Sequence, residues 1–350
     1  MRPNTKTKTE PKAATDELTM IRLMRRGIWI PLALAACSCA VMASIFRRLA
    51  LFLAPPVQHW ALRLVSDLGP SVSQPILCGN RSIHFPGGSG FVRPPTNRQD
   101  FFGPVARHQG LVLEIGPLHT PICKRPACKA RYLDVFTTDQ LRANYADDPH
   151  VPIEQIVEID YVWKGERYDE LMAERFDGVV SSHNIEHVPC LVSFLANLGS
   201  CLVDGGRVYL AIPDKRTCFD HFKIESSIVD VLEAHYIKVK RPPPTALLRH
   251  LLLRTHNDSI RHWKGDHGEP DLPDGFGSVT GAIRKKMHEL YQVSSYTDTH
   301  CWVFTPGSFA EIVQYLFHEG LTGLTMETLH PTSYGSHEFY AVLVKRSGKD

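Results

Sequence analysis

Histidines and carboxylates gather in a few short stretches of this 350-residue chain. His183-Asn-Ile-Glu186-His187 puts two imidazoles and a carboxylate side by side. Imidazole titrates near neutral pH, so His183 and His187 are candidate general bases. The same residues also spell an inverted zinc-peptidase pattern, in which one helix face would carry both histidines with zinc between them and Glu186 as base. Pro189 speaks against such a helix, because proline disfavours helix at the residue before it. A carboxylate has two acceptor oxygens, so Asp134 could hold a pair of hydroxyl donors, and Asp160 could accept from an exocyclic amine. Asp214-Lys215-Arg216 could meet an anionic or polyhydroxyl ligand, or form a solvated charge cluster. Asp298 and His300 flank Thr299 as residues on one face of a strand would.

The elements around these residues read as a strand–helix alternation. Leu111–Ile115, Arg131–Val135, Gln155–Asp160, Phe176–Ser181 and Gly206–Ile212 are apolar runs of strand length. Between the last two, Val188, Leu191, Val192, Leu195 and Leu198 repeat with helical spacing. This pattern implies a doubly wound α/β sheet, mostly parallel. Pro306–Glu319 reads as a helix with Thr305 as its cap. Leu321–Leu329 and Glu338–Val344 read as a closing antiparallel pair. In such sheets ligands bind beyond the carboxyl ends of the strands. Those ends carry Glu114-Ile-Gly116, Asp134, Asp160, the Ser182–His187 stretch and Asp214. Gly116 would permit a tight turn and close approach of a ligand to the backbone.

In that order the segments Leu113-Glu-Ile-Gly-Pro117, Tyr132-Leu-Asp134, Glu158-Ile-Asp160, Phe176–Val188 and Leu202–Asp214 resemble the class I S-adenosylmethionine-dependent methyltransferases. The wording around His183–Val188 and Ala211–Arg216 is similar to a bacterial methyltransferase-type-11-like subgroup. The resemblance covers roughly residues 105–220 and 296–346. It implies a seven-stranded Rossmann-like sheet with a reversed C-terminal hairpin, and S-adenosyl-L-methionine as cofactor. By position it assigns Glu114 and Gly116 to the methionine moiety, Asp134 to the ribose and Asp160 to the adenine side. Ser182 and His183 would stand where methyl donor and acceptor meet. Asp214, Lys215, Arg216, Asp298 and His300 would contact a small-molecule or carbohydrate-linked acceptor. The family's first motif usually carries two or three glycines, whereas here Pro117-Leu-His-Thr-Pro121 follows Gly116. A non-catalytic scaffold that keeps the fold is the alternative reading.

Composition narrows the function classes. Hydrophobic residues make up 43% and charged residues 22%, a globular balance that excludes a disordered or polytopic membrane chain. The net charge of +2 hides a basic head, because residues 1–63 carry 10 Lys/Arg against 3 Asp/Glu. Basic residues before the fold, with no interleaved aromatics, disfavour nucleic acid as substrate. The nine cysteines, an odd number with no CxxC pair, argue for a reduced, cytosolic body without a disulfide framework or structural metal.

The expected organisation is a basic tail (1–26), a membrane anchor or membrane-surface helix (27–54), an irregular linker (55–104), a first core part (105–220), an inserted cap (221–295) and a final core part (296–350). Gly27–Phe46 is uncharged and long enough to span a bilayer. A secretory signal, or translation from Met20, Met24 or Met42, would also fit it.

Overall fold

The alternation of apolar runs is realised as one mixed sheet flanked by helices. The computed structural model describes residues 83–84, 95–270, 276–292 and 297–346. Its strands are β1 (Ile83–His84), β2 (Val112–Ile115), β3 (Ala130–Asp134), β4 (Tyr161–Val162), β5 (Phe176–Ser182), β6 (Leu202–Pro213), β7 (Leu324–His330) and β8 (Glu338–Lys345). Their order across the sheet is β1-β7-β8-β6-β5-β2-β3-β4. The β4-β3-β2-β5-β6 block is parallel, whereas β8 runs antiparallel to both β6 and β7. β1 adds an eighth strand, antiparallel to β7.

The helices are α1 (Arg98–Ala106), α2 (Thr138–Asn144), α3 (Tyr168–Leu171), α4 (Leu191–Cys201), α5 (Ile228–Tyr236), α6 (Pro244–Leu253), α7 (Ser259–Trp263), α8 (Phe276–Gln292) and α9 (Pro306–His318). Side chains alternate across a strand, and β8 shows what that does here. Tyr340 and Val342 join Phe101, Phe102 and Val105 of α1 in one buried cluster, with the Phe101 and Tyr340 rings stacked at 4.6 Å. Phe339, one residue away, meets Phe309 of α9 at 5.8 Å on the opposite face. α1 was not legible in the sequence, where its residues read as linker. Asn97 caps it by accepting from the Asp100 amide.

Three sequence expectations change. The strand expected over residues 155–160 does not form; a 3-10 turn covers Ile153–Gln155 and β4 is only Tyr161–Val162. Residues 297–300 form no strand and do not pair in the sheet. The membrane anchor over 27–54, and the membrane association inferred from it, are withdrawn. That segment lies outside the described residues, and among the described residues no helix is long and apolar enough to cross a membrane. Among the described residues of the insertion between β6 and α9 stand four helices, α5 to α8.

Candidate functional site

The order in which successive strands are added to the sheet reverses between β2 and β5, which are themselves parallel. From β2 the chain runs outward to β3, and β5 starts the opposite half. A crevice opens at the carboxyl ends of such a strand pair, where ligands of doubly wound sheets bind. Gly116 stands after β2 and Ser182-His183 after β5.

Gly116 has φ 64°, and a Cβ there would come within 2.8 Å of the Asn184 side-chain oxygen. Asn184 in turn donates to the carbonyls of Ile115 (3.1 Å) and Ser182 (2.9 Å), joining the two strand ends. Leu118, two residues on, also has positive φ (45°), so this glycine-poor loop still turns through left-handed backbone. Glu114 is buried and does not face the crevice. Its two oxygens accept from the amides of Ile122 and Cys123, both at 2.8 Å, and so brace the loop from below. Burial raises its pKa, the backbone hydrogen bonds opposing. Asp134 closes β3 at the carboxyl edge, with one oxygen accepting from Phe136 N at 3.1 Å. Burial raises its pKa as well.

Asp160 falls elsewhere. It precedes β4 and lies beside Tyr132, two residues short of the edge where Asp134 stands. Its carboxylate accepts from Tyr132 N (2.7 Å) and pairs with Arg125 (3.2 Å). Without the third strand the sequence implied, Asp160 braces β3 rather than ending its neighbour. Asp214 is fully buried and accepts from Thr332 Oγ1 (2.6 Å) and from the Arg216 guanidinium (2.6 Å at Nη2). Lys215 donates to the His221 carbonyl at 2.8 Å. These three residues therefore stitch the end of β6 to the segments around it and do not form a free acceptor-binding cluster.

The remaining residues come together. His183 leaves β5 at φ 51°, a conformation in which histidine is among the commoner non-glycine residues. A turn over Ile185–His187 follows, so the two histidines do not share a helix face, and the peptidase arrangement is not formed. The segment 298–302 is tied to this turn: Cys301 N and Trp302 N both donate to Glu186 O, at 2.7 and 3.0 Å, and Trp302 Nε1 donates to Val188 O at 2.6 Å. That strap delivers Asp298 and His300.

Each histidine then has one ring nitrogen on a carboxylate. His183 Nε2 lies 2.7 Å from Glu338, His187 Nδ1 lies 2.9 Å from Asp298, and His300 Nδ1 lies 2.6 Å from Asp220. The other nitrogens face Glu186 Oε1, at 3.5 Å for His183, 3.7 Å for His187 and 3.9 Å for His300. Glu186 is 0% exposed, and neither of its oxygens accepts a hydrogen bond. Ser182 accepts from Arg98, which also pairs with Glu338 at 2.8 Å.

Charge assigns protonation here. Burial pulls the His183 pKa down, but Glu186 and Glu338 outweigh it and lift it to about 9. His187 rises too, with burial opposed by Asp298 and Glu186. With its pKa near 9 the His183 ring holds its proton at neutral pH and does not serve as the resting general base expected from sequence. Burial raises the Glu338 pKa, but His183 and Arg98 outweigh it and bring it to about 2. Asp220 is lowered by the His300 and Lys223 charges against its own burial.

Sequence reading missed Asp220, Glu338, Arg98 and Asn184 as parts of this site. Only Asn184 carried a signal, lying inside the motif itself. A hollow of about 800 Å³ along α1, lined by residues including Gln99, Arg107, Arg207 and Glu327, involves none of the cluster.

No protein-family model and no curated protein matches this chain. Solved structures similar to it include a protein described as a zinc-dependent alcohol dehydrogenase from Rhodobacter sphaeroides, with 13% identity over 73% of this chain and 92% of that one, and a TM-score of 0.40. The CcbJ methyltransferase of Streptomyces caelestis has 9% identity over 73% and 91%, with a TM-score of 0.35. A SAM-dependent methyltransferase of Archaeoglobus fulgidus has 14% identity over 71% and 91%, with a TM-score of 0.29. Several solved neighbours are thus methyltransferases, at similarities too low to place this chain in any of their families.

Proposed function

We propose that this protein is an S-adenosylmethionine-dependent methyltransferase of class I, acting on a small-molecule or glycan-linked acceptor. The observation that carries the reading is the strand order β4-β3-β2-β5-β6-β8-β7 with β8 reversed, which places Gly116, Asp134 and Ser182–His183 along one carboxyl edge. The residues fit the cofactor at Asp134, a carboxylate at the carboxyl end of β3, where an acidic side chain would receive a ribose diol. The Gly116–Leu118 loop after β2 turns through left-handed backbone at Gly116 and Leu118, as a tight turn at the strand end needs.

When bound, S-adenosylmethionine supplies a methyl group already activated by a sulfonium. The chain's task is then alignment more than acid–base work. Asp134 anchors the nucleoside end. Asn184 and Glu114 hold the two sides of the turn after β2. Asp298 and His300, arriving from beyond the insertion, bound the acceptor side.

One observation favours the second reading, a non-catalytic protein that keeps the fold. The Asn184 amide covers Gly116, where a cofactor would approach the backbone most closely. Asp134→Ala separates the two. In the enzyme it weakens S-adenosylhomocysteine binding by about 10–100-fold, the loss of one or two hydrogen bonds to a charged acceptor. If cofactor affinity is unchanged in the folded variant, the methyltransferase reading fails.

A further inference from the structure

Among the described residues, three histidine-containing clusters have the donor spacing to hold an ion: His221/His262/His267, His183/His337/Glu338 and Glu186/His187/His300. Ring geometry eliminates the first. A histidine binds a metal through an in-plane lone pair at about 2 Å. The His221 and His267 rings are stacked at 3.8 Å with planes 12° apart, so their lone pairs run side by side and do not converge. The second is closed, since Glu338 already accepts from His183 at 2.7 Å and pairs with Arg98 at 2.8 Å.

The third differs on each count. We propose that Glu186, His187 and His300 bind a divalent first-row transition-metal ion. The His187 and His300 rings lie 4.7 Å apart with planes 82° to each other, an arrangement compatible with both rings ligating one ion and unlike the stack of the first cluster. Their Nε2 atoms lie 3.7 and 3.9 Å from Glu186 Oε1, and all three ligand atoms fall within 4.8 Å of one another. Closing those separations by about half an ångström brings all three to bonding distance of a single ion.

Glu186 supplies an independent sign. It is fully buried, and both carboxylate oxygens lack a hydrogen bond. Buried carboxylates are ordinarily hydrogen-bonded or on a metal. The outer partners supply another. His187 Nδ1 and His300 Nδ1 sit on Asp298 and Asp220, at 2.9 and 2.6 Å. A carboxylate behind each histidine fixes the tautomer that leaves Nε2 free to ligate, as around zinc and related ions.

Two imidazoles and one carboxylate suit zinc, iron(II) or cobalt(II) better than magnesium or calcium, which prefer oxygen alone. Three protein ligands leave coordination positions open, and His183 Nδ1, 3.5 Å from the same Glu186 oxygen, borders them. An acceptor oxygen bound there would lose its proton more readily, which would make a protein base unnecessary. That role rests on the methyltransferase reading; binding of the ion does not.

The test uses the full chain, stripped with chelator and dialysed. Cobalt(II) and zinc(II) are titrated in separately, with binding followed by calorimetry, by cobalt visible absorption and by metal content per chain. One ion per chain with a ligand-field band of a nitrogen–oxygen site is expected. His187→Gln and His300→Gln should each weaken binding about 100-fold, and Asp220→Asn about 10-fold or more. His221→Gln, in the stacked cluster, should change nothing. His187 is half-buried, so its variant keeps the test readable if the His300 variant does not fold. No binding by the folded wild type overturns the proposal, as does binding that survives both histidine changes or disappears with His221→Gln. S-adenosylhomocysteine affinity, measured on the same stripped protein, reports separately on the methyltransferase reading.

Discussion

Glu338 illustrates how much of the site depends on contacts remote in sequence. It lies 155 positions from His183, yet it accepts from that ring and from Arg98, while Tyr340 donates to its other oxygen at 2.8 Å. Glu338→Gln keeps the shape and removes the charge, and should cost about 2–3 kcal/mol in chemical denaturation. Its pH dependence has a defined sign. Glu338 is lowered from 4.5 to about 2, so its contribution is complete above the unfolded value and disappears as pH falls through about 2. His183 is raised from 6.5 to about 9, so its share is complete below the unfolded value and disappears as pH rises through about 9. The stability difference between wild type and Glu338→Gln should therefore be largest near neutrality and shrink toward both limits. A difference that stays constant from pH 3 to pH 9, with ~0.3 kcal/mol as the resolvable change, would contradict the pairing.

Among the elements, β2, β3, β5, β6 and α9 follow their apolar runs closely, because burial on both faces or along one stripe leaves a pattern in the sequence. Thr305 caps α9 as the sequence reading expected, in a reciprocal box with Ser308. Thr305→Ala should lower stability by about 1 kcal/mol, measured by urea denaturation. The third strand failed for a physical reason. Ile156 is buried, but its apolar neighbours Val157 and Ile159 pack from a segment held by single backbone bonds, such as Val157 N to Leu118 O, and not by a ladder. Apolar alternation alone could not tell that segment from a strand. The turn after β2 also belongs to this scale. Gly116→Ala adds a Cβ at positive φ against Asn184, and should cost ~1–3 kcal/mol. If thermal and chemical denaturation of Gly116→Ala match wild type, the close packing of Asn184 against Gly116 is wrong.

At the scale of the whole molecule, the insertion and the core are joined through buried charge. Asp220, at the insertion's entry, is buried between His300 and Lys223, and Lys223 is itself 3% exposed. Asp220→Ala leaves the ammonium without its carboxylate and should cost about 3–5 kcal/mol in denaturation midpoint analysis. The α/β class was legible because strands alternating with helices imply a largely parallel sheet. The histidine cluster was legible only by halves. His187 and His300 each stood in a visible motif, but their meeting depends on a strap 111 residues further along, where Asp298 reaches His187. The charged residues at 214–216 misled for the opposite reason, since a run of charges gives no sign of being consumed internally.

The central claim, a cofactor crevice between β2 and β5, is tested most directly by calorimetric titration of S-adenosylhomocysteine into the full chain. The account predicts saturable one-to-one binding in the micromolar range. A folded protein that takes up no S-adenosylhomocysteine would contradict it and leave the scaffold reading in its place.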